Sequence, residues 1–348
     1  MGARMRDLNL SERARLVLKL VIEEYIATAK PVASATLRDK YGLGVSSATL
    51  RNEMAELEKM GYLTHLHTSG GRVPSEAGYR LYVENLMDNL GLSPADLRRV
   101  EHQFHQIERV RDIERWAELA ASVLAQLANN AALVTTPQSE NLRLKRIHLI
   151  QLHDRSALVI AVMDDGTVRQ SVYEMPYEAS QEELDSIAAA LNAEFAGEVT
   201  SRLVRRARDL PAPVSDIVRA VIDVVSQASG IGEVHQVGLT QMLAQPEFQS
   251  SERARPVIEM IEGGSLLRIL SERVARWPGV HVIIGSEIPI PEMQNCAIVT
   301  ATYRAAGGSQ GLLTVVGPMR MRYKRTISSV YYLSNLLSEL LSDKYLES

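Results

Sequence analysis

The stretch "HTSGGRVPSEAGYR" (His67–Arg80) groups residues that can do chemistry: a glycine pair, an arginine, small hydroxyls and, with His65 just before it, two histidines. Glycine-rich loops with a basic residue cradle phosphate, either of a nucleotide or of a nucleic-acid backbone. A nucleotide loop also needs a lysine or a strand-loop-helix setting, and neither is present here. "GGSLL" and "GGSQG" lack that lysine too and read as turns. There is no GxSxG elbow, no Walker A loop, no GxGxxG after a strand and no HExxH. Glu182 and Glu183, or Asp164 and Asp165, are chain neighbours, and neighbours point apart on a helix or strand, so neither pair makes a catalytic dyad. Glu101, His102, His105 and Glu108 have helical spacing that suits a metal, but no partners from a second helix are evident. The single cysteine, Cys296, excludes an intrachain disulfide and reads as a small buried residue within "CAIVTATY". The expectation is a protein that is not an enzyme and holds no cofactor or metal.

The elements that must position these residues belong to a chain of 348 residues, enough for two or three domains. With 38 basic and 42 acidic residues the formal net charge is −4, so any surface for nucleic acid must be local. The N-terminus has no apolar core of a secretory signal, Arg6 spoils a myristoylation pattern, and no run reaches the ~18 apolar residues a membrane span needs. A cytoplasmic protein without membrane contact is expected.

In the first eighty residues Ser11 is a plausible cap for a helix carrying Leu16, Leu20 and Ile26, which Pro31 stops. A second helix ends at Gly42. A third is capped by Ser46 or Ser47 and ended by Gly61, with Leu50, Met54 and Leu57 on its packing stripe. The polar side of that third helix presents Thr49, Arg51 and Asn52, with Ser46 and Ser47 at its tip. Two helices across a glycine turn, the second with short polar side chains near its start, follow the helix-turn-helix plan, although a plain three-helix bundle has the same outline. "YLTHLHTSGGRVPS" then reads as a hairpin, which after such helices is a wing along a nucleic-acid backbone.

Three blocks, "SSATLRNEM", "GYL" with "HTSGGR", and "VPSEAGYRLYV", resemble the signature of the bacterial heat-inducible transcription repressor family, HrcA. They occupy about forty continuous residues, with Gly70 where the family usually has alanine. "TVVGPMRMRYKRTI" resembles a second block of the same family before the last helix. The resemblance implies an α+β multidomain fold: an N-terminal winged helix-turn-helix, and a GAF-like α+β domain interrupted by an inserted α/β dimerisation domain. Its expected limits are a winged-helix DNA-binding domain at 1–80, a linker helix at 81–100, the GAF-like domain at 101–140 and 231–348, and the insertion at 141–230. Within the insertion, "LKRIHLIQLHDRSALVIAVMDDGTVRQSVYEMP" reads as three strands with helices after them. One of those helices carries Arg202, Arg205, Arg206 and Arg208, either a nucleic-acid contact or a solvated or interface face. Farther on, "VGLTQML" and "VHVIIG" read as strands flanking the helix "GGSLLRILSERVARW". "CAIVTATYRAA" and "GLLTVVGP" read as strands before the final helix.

The resemblance implies a dimeric, sequence-specific repressor of chaperone operons. It would bind double-stranded DNA at an inverted-repeat, CIRCE-type operator, with chaperonin modulating its activity. A metabolite-sensing winged-helix regulator is the alternative. The expected DNA contacts are Ser46, Ser47, Thr49, Arg51 and Asn52 in the major groove, and Ser69, Gly70, Gly71 and Arg72 in the wing. Arg51 suits a bidentate guanine contact, or else pairs with Glu53, Glu56 or another acid; Arg72 suits a phosphate.

Overall fold

A computed structural model describes residues 10–65, 71–88, 91–107, 112–138, 143–199 (except 165 and 167), 217–224 (except 223), 232–274 and 279–342. By their contacts the residues divide into two compact units. The first spans 1–134, 235–302 and 312–337; the second spans 135–234, 303–311 and 338–348. The architecture is α+β.

The first unit begins with three helices: α1 (Glu12–Thr28), α2 (Ser34–Tyr41) and α3 (Ser47–Lys59). Each boundary has a local cause. The Ser11 hydroxyl accepts the Ala14 N–H at 3.1 Å, and α1 ends where Ala29 turns left-handed two residues before Pro31. Gly42 ends α2 in the left-handed region, and the Ser46 hydroxyl accepts the Thr49 N–H to start α3. Leu37, Leu50 and Leu57 are fully buried and Met54 nearly so, as the stripe on the third helix requires. On α1 the buried side runs through Val17, Leu18, Val21 and Ile22, whereas Leu16 is 43% exposed. Of the three residues expected at helical spacing, Leu20 is buried and Ile26 half-buried, and Leu16 alone turns to solvent because this segment is apolar on more than one face.

Glu24, buried on α1, accepts from Lys40 Nζ at 2.5 Å and from Tyr41 OH at 2.9 Å, tying the last turn of α2 to α1. After α3 come β1 (Leu63–Thr64) and β2 (Val73–Pro74), an antiparallel pair. Arg72 extends the ladder by exchanging two 2.8 Å backbone hydrogen bonds with Val32 of the α1–α2 connection. Gly71 permits this approach: a Cβ there would lie 2.4 Å from the Val32 carbonyl. Then α4 (Glu76–Leu81), capped by Ser75, runs into a π-helical turn at Tyr82–Leu86.

Two further helices, α5 (Pro94–Ile107) and α6 (Ile113–Ala128), lead into β3 (Ala131–Thr135), whose five residues are all buried. The second unit contains β4 (Leu144–His153), β5 (Ser156–Met163) and β6 (Val168–Glu174), an antiparallel sheet in that order. Helix α7 (Gln181–Phe195) packs with it, and Leu184, Leu191 and Phe195 join Ile147, Val159, Ala161 and Met163 in one core. Glu183 closes a capping box with Ser180.

Beyond it come β7 (Val234–Val237), α8 (Leu239–Leu243), α9 (Ser251–Glu262), α10 (Ser265–Val274), β8 (Val280–Ile284), β9 (Cys296–Arg304), β10 (Gln310–Pro318) and α11 (Tyr323–Leu340). The five-stranded sheet has the order β7-β3-β10-β9-β8. "VGLTQML", expected as a strand, is mostly helix: Gly238, at φ +90°, breaks the extended run after Val237. No helix among the described residues is long and apolar enough to cross a membrane.

Candidate nucleic-acid interface

At the start of α3 the two serines differ in what they do. Ser46, exposed, spends its hydroxyl as the helix cap and lies 3.0 Å from the Thr49 hydroxyl. Ser47 and Thr49 are half-buried. Arg51 and Asn52 are exposed and meet no side-chain partner among the described residues. Two acids of the same helix are bound elsewhere: Glu53 accepts Arg13 Nε at 2.7 Å, and Glu56 pairs with Lys59 at 2.7 Å. A planar fork of N–H donors is thus left facing solvent beside an amide, on a helix whose N-terminal end carries partial positive charge.

The hairpin presents another arrangement. Gly71 and Arg72 lie in its second arm, against Val32, while Ser69 and Gly70 fall outside the described residues. The Arg72 Nε is 2.7 Å from Glu58 Oε2, and its side chain is only 25% exposed. The other Glu58 oxygen is bonded to His65 Nδ1. Glu58, in the last turn of α3, therefore ties both arms of the hairpin to that helix. The hydrogen bond from His65 holds the Glu58 carboxyl below its usual range, against partial burial and with help from the Arg72 charge. Sequence reasoning named His65 and Arg72 but missed Glu58, since nothing local distinguishes it from Glu53 or Glu56 on the same helix.

Other candidates have structural partners. Asp164 accepts the Arg143 N–H at 3.1 Å, and Glu183 is the cap residue already described. Cys296 is fully buried, which pushes its thiol pKa up to about 12 and leaves it unreactive at neutral pH. Among the described residues no three His, Cys, Asp or Glu side chains converge on one point, and Glu108 lies outside them. The arginines at 202, 205, 206 and 208 also lie outside the described residues.

The chain is similar to known proteins along nearly its whole length. The family model for the HrcA protein C terminal domain matches residues 114–327. A heat-inducible transcription repressor HrcA of Roseiflexus sp. (strain RS-1) is 42% identical over 97% of this chain and 96% of its own length. The protein of the same description from Chloroflexus aurantiacus is 40% identical over 97% and 95%, and that from Carboxydothermus hydrogenoformans 33% over 96% and 99%. A crystal structure of a hypothetical protein, 22% identical, covers 97% of this chain and 100% of its own with a TM-score of 0.57, a likeness of fold. These findings define the class as a transcription repressor. The chain belongs to the HrcA family of heat-inducible transcription repressors.

Proposed function

We propose that this repressor is a cytoplasmic dimer that reads an inverted-repeat, CIRCE-type operator ahead of chaperone operons, with chaperonin setting the active fraction. Residues 1–80 form the winged-helix reader, 81–100 a linker, 101–140 with 231–348 a GAF-like domain, and 141–230 the inserted dimerisation domain. One observation carries the reading: Arg51 and Asn52 stand exposed and unpaired on the helix that follows a glycine turn, where a helix-turn-helix presents its base-reading residues. Ser46, Ser47 and Thr49 line the same helix start. Gly71 and Arg72, together with Ser69 and Gly70 just before them in sequence, supply the backbone contact.

The dimer assignment draws on the open face of the three-stranded sheet. Ile150, Leu158 and Val172 sit opposite one another across β4, β5 and β6, and Ile150 and Val172 are 43% and 58% exposed. Leu152 and Val168 add further exposed apolar area on these strands. An apolar patch of this kind marks an interaction surface.

The test is a mobility-shift titration with a duplex carrying the inverted repeat and a scrambled duplex of equal length. Retention of the first at concentrations that leave the second free is expected. Equal affinity for both would remove the sequence-specific reading.

A further inference from the structure

The block "VPSEAGYR" follows the hairpin in sequence, and two of its polar side chains, Glu76 and Arg80, bond to residues 282–287 of the same unit. Glu76 and Arg80 are four apart on α4 and so share one face. Glu76 Oε2 accepts both the Ser286 N–H, at 3.1 Å, and the Ser286 hydroxyl, at 2.6 Å. Arg80 Nε donates to Glu287 Oε1 at 2.8 Å, while Nη2 donates to the other Glu287 oxygen and, at 2.8 Å, to the Val282 carbonyl. That carboxylate is aimed in advance by the Ile284 N–H, 2.9 Å from Oε2. Gly285 leaves room for the junction: at φ +54°, a Cβ there would lie 2.4 Å from the Glu76 carboxyl carbon.

A second arginine crosses in the opposite direction. Arg320, 13% exposed, is held by Glu247 at 2.5 and 3.2 Å and donates to the Ile26 carbonyl at the end of α1 at 3.3 Å. Between the two arginines the buried rings of Tyr79 and Tyr323 meet at 5.8 Å. Residues about two to three hundred positions apart in sequence thus form one seam between the three-helix head and the five-stranded sheet region.

We propose that Arg80, Glu76 and Glu287 are positioning residues for operator recognition: the seam holds the head at a fixed angle, so that in the dimer the two α3 helices stand at the separation of the operator half-sites. This rests on the dimeric DNA-reading function proposed above. None of the three belongs to α3 or the hairpin, so their removal leaves each head's own contacts in place. What it removes is the fixed head orientation that raises the effective concentration of the second head at its half-site.

The experiment measures full-length wild type, R80Q and E287Q against three kinds of duplex: a single half-site, the inverted repeat, and repeats with the half-site spacing lengthened or shortened by one to five base pairs. Wild type is expected to prefer one spacing sharply. Both variants are expected to keep wild-type affinity and salt slope for the half-site. They should bind the correct repeat roughly 10- to 100-fold more weakly, and their preference among spacings should flatten. Two variants on opposite sides of the seam guard against one that fails to fold. The proposal is overturned if either folded variant keeps the sharp spacing profile, or loses half-site affinity as steeply as full-site affinity. Failure of wild type to bind any of the duplexes would instead overturn the DNA-reading function itself, and the positioning role with it.

Discussion

Arg51 and Arg72 carry the same guanidinium into opposite situations. Arg51 is exposed with its neighbouring acids already paired, so its donors are free for a base edge. Replacing it with alanine is expected to cost about 1–3 kcal/mol of discrimination at one base position, leaving non-specific binding nearly unchanged. Competition titrations with duplexes substituted at each position check this. Arg72 is held by Glu58 through Nε, which leaves the rest of its five-donor fork for a phosphate. R72A is expected to flatten the slope of log affinity against log salt by about 0.9. An unchanged slope would place Arg72 wholly in the service of Glu58. Glu58 itself is the residue that sequence reading lacked, and it makes the hairpin an extension of α3 rather than a loose flap.

At the scale of elements, close approach and side-chain ties hold the head together. G71A would drive a Cβ into the Val32 carbonyl and break the bridge that joins the hairpin to the α1–α2 connection. A loss of about 1–3 kcal/mol is expected in denaturant or thermal unfolding. The Glu24 tie between α1 and α2 has a pH signature. Its carboxyl is held below the ordinary value of 4.5 chiefly by the hydrogen bond from Lys40, with burial opposing and Tyr41 assisting. A depressed folded pKa means that the tie stabilises fully above the unfolded value and is lost as pH falls through the lower folded one. E24Q is therefore expected to melt below wild type at pH 7, with the gap closing once the pH drops beneath about 4.5. Melting curves of both proteins across that range decide it; a gap independent of pH would mean that packing, not charge, makes the tie.

For the molecule as a whole, the proposed function also rests on a surface of the second unit. The row Ile150, Leu158 and Val172 lies on the open face of the sheet in the second unit, opposite the face that buries Ile147, Val159 and Ala161. V172K places a charge on a position already 58% exposed, so the fold should tolerate it while an apolar interface should not. Sedimentation is expected to show the dimer shifting toward monomer, with the melting curve unchanged. Affinity for the inverted repeat should fall while that for a half-site stays. An intact V172K dimer would move the interface to another surface.

What the sequence determined by itself is what short-range physics controls. Ser11, Gly42 and Ser46 mark helix ends because a cap acts on backbone groups within four residues. The stripe Leu50, Met54 and Leu57 is readable because a helix repeats every 3.6 residues. The three strands of the second unit were legible from the turns that separate them, near "HDRS" and at "DDG", and the family from about forty contiguous residues. Leu16 on α1 and "VGLTQML" were misread where apolar residues ran together and the local pattern admitted two answers. The pairings of Glu58 with Arg72, Arg80 with Glu287 and Arg320 with Glu247 belong to the tertiary structure alone. Among 38 basic and 42 acidic residues no spacing rule selects a partner 14, 207 or 73 positions away; only the folded backbone brings each guanidinium to its carboxylate.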